Sequence, residues 1–69
     1  MKVPSIYLTP RETEVVKWMA DGKTADEIGT ILGISGHTVK TLIIHARARL
    51  DVVNCTHLVA FSFRQGWLE

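Results

Sequence analysis

The sequence predicts an all-α fold of four helices. Apolar residues recur at offsets of three and four along most of the chain. Each such stretch opens near a residue able to cap a helix and closes on glycine or a short connection. No stretch alternates apolar and polar residues over several positions, as a half-buried strand does.

The first helix starts at Thr9-Pro10-Arg11-Glu12. Thr9 caps it, Pro10 fits the first helical position, and Glu12 sits three residues after the cap. Val15, Val16 and Met19 follow at helical spacing, and Asp21-Gly22 ends the helix. Trp18 and Val15 are core candidates and Met19 a gap-filler. Thr24-Ala25-Asp26-Glu27 opens a short second helix with another capping-box pattern. Ala25, Ile28, Ile31 and Leu32 make its expected core stripe, and Gly33 stops it. Gly29 costs roughly 1 kcal/mol against alanine inside a helix. A residue so small permits close approach by a neighbouring helix, or is simply tolerated. The third helix opens at Ser35 and runs to about Leu50, with Val39, Leu42, Ile43, Ala46 and Leu50 on one face. Geometry then groups His37, Lys40, Thr41, Ile44 and Ala48 on the opposite face, flanked by Arg47. Asp51-Val52-Val53-Asn54 leads to a fourth helix, roughly Cys55 to Gln65, closing at Gly66. Its apolar residues Leu58, Val59, Ala60, Phe61 and Phe63, with the trailing Trp67, spread around the circumference. One face of such a terminal helix is expected inside and the other against a second molecule. An exposed Phe of no consequence is the alternative.

Sixty-nine residues hold one small core and no second domain, read as a lead segment over 1–7 and a domain over 8–69. An apolar content of 46% with 22% charged residues indicates a folded globular chain. No apolar run approaches the ~18 residues that cross a membrane, and residues 1–7 have no apolar signal-peptide core. Cys55 has no second cysteine to pair with inside the chain, and with His37, His45 and His57 it makes no zinc spacing. No metal or cofactor is therefore expected. Nor is an enzyme, since no nucleophile–base pair, paired carboxylates or phosphate loop is present in the sequence. The net charge of +1 is unevenly distributed: residues 35–50 carry Lys40, Arg47 and Arg49 with no acid. A local positive patch matters more for phosphate binding than whole-chain charge. A solvated basic helix face is the bland alternative.

The second and third helices are joined by Gly33-Ile34-Ser35, the spacing of a helix-turn-helix, with Ile34 placed to plug the core between them. Further residues carry a sharper likeness. Leu8-Thr9-Pro10-Arg11-Glu12-Thr13-Glu14-Val15-Val16, Ala20-Asp21-Gly22-Lys23-Thr24 and Glu27-Ile28 resemble the LuxR/GerE-type DNA-binding domain, in order and spacing. So do Ile31-Leu32-Gly33-Ile34-Ser35, Thr38-Val39-Lys40 and Leu50-Asp51-Val52. Trp18, Gly22-Lys23-Thr24 and Gly66-Trp67-Leu68 look most like the quorum-sensing branch.

The resemblance implies a four-helix transcription regulator that binds double-stranded DNA as a homodimer in the bacterial cytoplasm, at the nucleoid. Its third helix would read the major groove and its fourth would supply the dimer contact through His57, Leu58, Phe61 and Arg64. Two-fold symmetry then implies a roughly palindromic site with half-sites about one DNA turn apart. Ser35, His37, Thr38 and Thr41 lie at or near the groove-entering end, where any of them can touch a base edge or a phosphate; Thr38 can instead bond within its own helix. Lys40, mid-face, reaches a guanine edge or a phosphate. Ile44 packs on a thymine methyl or at the edge of the core. Arg47 and Arg49 suit phosphates, or only the helix dipole and solvent. Lys23 and Thr24 lie where backbone N–H groups at a helix start meet a cation, a phosphate-binding arrangement; Thr24 is also a plain cap. Glu12 either completes the capping box or pairs with a base on another helix.

The family domain usually closes a longer protein, behind a receiver or ligand-binding domain. These 69 residues have no room for either, so no small-molecule ligand is expected in the chain. Met1 is either the start of a free-standing regulator or a boundary within a longer protein. Ala25, Leu42 and Cys55 stand where the family often has Asn, His and Arg. They motivate an alternative: an interaction module of weak DNA affinity that heterodimerises with a longer family member and antagonises it.

Overall fold

The structure, a computed structural model, describes residues 7–68. Of the expected lead segment only Tyr7 falls among them; residues 1–6 and Glu69 lie outside. Four helices follow one another: α1 (Pro10–Ala20), α2 (Ala25–Leu32), α3 (Gly36–Leu50) and α4 (Cys55–Arg64).

Local chemistry sets where each begins. Thr9 Oγ1 accepts from the Glu12 N–H at 3.2 Å, while the Glu12 carboxylate accepts from the Thr9 N–H at 2.9 Å. Thr24 and Glu27 repeat the reciprocal pair at the start of α2. Ser35 caps α3 through the Thr38 N–H. Asn54, read from sequence only as part of the connection, caps α4 by accepting from the His57 N–H at 2.8 Å. Gly33 closes α2 in the left-handed conformation (φ 74°) that glycine adopts without steric cost.

The core is two clusters sharing a wall. Val16, Ala46, Val52, Leu58 and Leu68 form one; Val15, Ile28 and Val39 form the other. Met19 and Ile43 pack against both. The adjacent residues Val15 and Val16 thus send α1 into both clusters, and α3 enters both through Val39 and Ala46. Trp18 and Ile34 pack against the second cluster, in the places their sequence positions implied. Ile31 departs from its expected core role. The buried face of α2 is centred on Ile28 and Gly29, which swings Ile31 out to 45% exposure.

Gly29 is buried because backbone passes over it. A Cβ there would stand 2.6 Å from the Ile34 carbonyl oxygen and 3.0 Å from the Gly36 nitrogen. What approaches is the turn and the start of α3, so this glycine sets how closely the two helices pack. The far end of α3 is fixed differently. Arg49 pairs with the Glu12 carboxylate and also donates to the Tyr7 carbonyl at 3.3 Å. Glu12 is nearly fully buried, so one carboxylate both caps α1 and anchors the last turn of α3.

Gly29→Ala is expected to destabilise the domain by about 1–3 kcal/mol, because the obstructing atoms are backbone and cannot turn aside; urea unfolding measures it. Glu12→Gln keeps an acceptor for the Thr9 N–H but leaves Arg49 without its charge partner. It should cost about 2–3 kcal/mol, below the range for a fully buried pair because a quarter of the Arg49 side chain stays in water. Thermal melts of the two variants beside the parent chain test both.

Candidate nucleic-acid interface

The turn Gly33–Ser35 and the packing of Val39 and Ala46 against the core decide which side of α3 faces outward. His37, Lys40, Ile44 and Ala48 are exposed and Thr41 and Arg47 half-buried, so the face expected from helical geometry is the outer face of the helix. No acidic side chain lies on α3 itself.

Charge converges here from the segment before α2 and from α3. A groove of about 550 Å³ is lined by Lys23 from the start of α2, by Lys40, Ile43, Ile44 and Arg47 from α3, and by Cys55, Thr56 and Val59 from α4. Three cations therefore share one concave surface with an apolar floor, and no carboxylate lines it. Lys23 and Lys40 lie far apart in sequence, and only the folding of α2 onto α3 brings them together. The contribution of Cys55 and Thr56 was not read from sequence, because it depends on how α4 is placed against α3.

The short polar residues at the entering end are partly occupied. The Ser35 and Thr38 hydroxyls share a hydrogen bond at 2.9 Å, and Ser35 Oγ also accepts from the Thr38 N–H. Thr38 thus bonds within its own helix start while staying exposed. Thr24 is exposed and committed to its capping box. The Glu27 carboxyl is held below the usual glutamate range, first by the Thr24 backbone N–H, then by the Thr24 hydroxyl, with the Lys23 charge adding to them. Two carboxylates, Asp26 and Glu27, thus sit in the first turn of α2 and temper its attraction for an anion. Lys23 is exposed beside them.

The two arginines of α3 differ from expectation. Arg49 has a partner that its sequence position did not reveal: it pairs with the buried Glu12 carboxylate, which leaves a quarter of its side chain in water. Arg47 donates through Nη2 to the Val53 carbonyl, which ties α3 to the connection before α4, while the side chain still lines the groove.

On α4, Leu58 is a correction. It is fully buried in the larger cluster and has no surface to offer a partner. Phe61 is half-buried, packs against that cluster and meets Trp67 edge-on at 5.7 Å. His57 is half-buried, its Nδ1 accepting from the Val53 N–H at 3.3 Å, and Arg64 is exposed. Helical spacing puts Thr56, Ala60 and Phe63 opposite Leu58 and Ser62; Phe63 is 47% exposed. That spacing was available in the sequence. What hid Phe63 was Ser62, a polar residue that is fully buried because its hydroxyl donates to the Leu58 carbonyl at 2.8 Å.

Four helices, a glycine-closed turn and an acid-free outer helix define a helix-turn-helix domain. The family described as bacterial regulatory proteins, luxR family, matches residues 7–62, and the chain belongs to it. The transcriptional activator protein BjaR1 of Bradyrhizobium diazoefficiens is 48% identical over 61 residues, 88% of this chain and 25% of its own length. The quorum sensing-dependent regulator RpaR of Rhodopseudomonas palustris is 49% identical over 62 residues, 90% of this chain and 26% of its own. Among solved structures, SdiA in complex with octanoyl-rac-glycerol superposes with a TM-score of 0.79 at 31% identity, over 88% of this chain and 25% of that one. The chain therefore spans about a quarter of the length of such relatives. Among the described residues, no helix is long and apolar enough to cross a membrane.

Proposed function

We propose that the chain is the DNA-binding unit of a quorum-sensing-type transcription regulator in the bacterial cytoplasm, working at the nucleoid. Two copies pair through α4 and lay α3 in successive major grooves of a roughly palindromic promoter site. The observation that carries the proposal is the outer face of α3: Lys40 stands exposed at its middle, with Lys23 and Arg47 on the same concave surface and no acid among them. Lys40 takes a base edge or a phosphate, His37 and Thr41 are the nearest short donors and acceptors, and Lys23 and Arg47 track the backbone. Ser35, Thr38 and Thr24 contribute what their caps leave free. In the dimer, Arg64 and the outer flank of His57 and Phe61 surround a contact centred on Ala60 and Phe63.

A second reading is favoured by one specific observation. Pairing of Arg49 with Glu12 leaves α3 with two cations that have no carboxylate partner among the described residues, Lys40 and Arg47, while Phe63 remains exposed. A domain of that kind can act mainly by occupying the α4 face of a longer family member and silencing it.

Lys40→Ala is expected to weaken binding to an enriched site by about tenfold and to make the salt dependence shallower by about one counterion. Fluorescence anisotropy from low to physiological salt reads both, and an unchanged affinity counts against the major-groove assignment. Phe63→Glu should leave the helical signal and melting intact while lowering self-association at least tenfold in sedimentation equilibrium. If that variant keeps its self-association, the α4 contact is elsewhere. If the parent chain binds no enriched DNA at low salt yet pairs with a longer family member, the second reading holds.

A further inference from the structure

We propose that Ile44 is a specificity-determining residue that reads the C5-methyl group of a pyrimidine in the major groove. The inference rests on the DNA-binding reading and deepens it.

Ile44 is 58% exposed, while Val39 is fully buried and Leu42, Ile43 and Leu50 are half-buried against the core. It lines the cationic groove with Lys40 and Arg47, and with Arg47 and Ala48 it also lines the smaller recess beyond. A branched apolar side chain at that position donates nothing to a phosphate. The base edges exposed in the major groove are polar, with one apolar exception: the methyl group on C5 of thymine. A 5-methylcytosine presents the same group at the same ring position. Among the described residues more than half of the Ile44 surface stays uncovered, so an opposed methyl removes apolar surface from water on both sides.

Helix geometry also locates the methyl. Lys40 lies one turn before Ile44, about 6 Å along the axis. That distance is roughly two base-pair rises. The pyrimidine read by Ile44 therefore lies within about two base pairs of the position where Lys40 acts. A cation and an apolar contact so spaced distinguish sequences in a way that two cations cannot.

The test uses the duplex that the chain enriches from a randomised pool at low salt. Each thymine is replaced in turn by deoxyuridine, which keeps every polar group and loses only the methyl. At one thymine per half-site, next to the bases whose identity matters to Lys40, the loss should be about fourfold for the parent chain. For Ile44→Ala, thymine and deoxyuridine should bind alike at that position, while Ile44→Val keeps part of the difference. A cytosine-to-5-methylcytosine exchange at the same step identifies the source. A gain on methylation extends the site to methylated cytosine, and equal binding confines it to thymine. An enriched site indifferent to every deoxyuridine, or equally sensitive in Ile44→Ala, overturns the methyl readout alone. A pool that yields no enriched sequence overturns the DNA-binding reading and this inference with it.

Discussion

The carboxylate of Glu12 holds the domain in register. It accepts from the Thr9 N–H, which starts α1, and pairs with Arg49, which ends α3 thirty-seven positions later in the chain. Glu12 keeps only 4% of its surface in water, and a charge so placed is costly unless it is both paired and hydrogen-bonded. Here it is both. The same arginine reaches the Tyr7 carbonyl, so the chain entering α1 is tied to the helix that presents the interface. At the other end, the bare Cα of Gly29 lets the turn seat against α2. Held at both ends, α3 can present a fixed outer face without help from a ligand.

The two apolar clusters distribute that rigidity unequally. The first and third helices enter both clusters, the second mainly the smaller, and α4 the larger alone. Leu58 and the hydroxyl of Ser62 commit one side of α4 to the core. The opposite side is left with Ala60 half-buried and Phe63 exposed. Among the described residues no further layer covers them. The proposed α4 contact would cover them, and beside it Tyr7 meets Trp67 at a tilt and Phe61 meets Trp67 edge-on.

What could be read from sequence was whatever depends on residues within one helical turn of each other. Thr9 with Glu12, Thr24 with Glu27, Ser35 and Gly33 are local devices, and they set the starts of the first three helices and the end of the second. The outer face of α3 was readable for the same reason, since 3.6 residues per turn leaves little choice once Val39 and Ala46 point inward. The misplaced residues all depend on distant partners. Nothing local distinguishes Arg49 from Arg47, yet one is paired with a buried acid and the other lines the groove. Leu58 and Phe61 looked interchangeable on a helix that is apolar all round, until the core selected Leu58. Ile31 obeyed the helical period, but the buried Gly29 moved the centre of the buried face.

The small number of free cations constrains how such a domain can work. With Arg49 paired to Glu12, the groove keeps Lys23, Lys40 and Arg47 as its cations. The logarithm of affinity falls with that of salt in proportion to the phosphates neutralised, and the electrostatic affinity at low salt grows with the same number. One copy making about three such contacts has little non-specific hold on a duplex at physiological salt. In the proposed dimer, two copies joined through α4 would double the contacts, the second binding as an intramolecular event at high effective concentration. On that proposal, pairing is a condition of occupancy on DNA. A weakly charged domain with an apolar α4 face suits that logic better than a strongly basic one, which would occupy DNA whether paired or not.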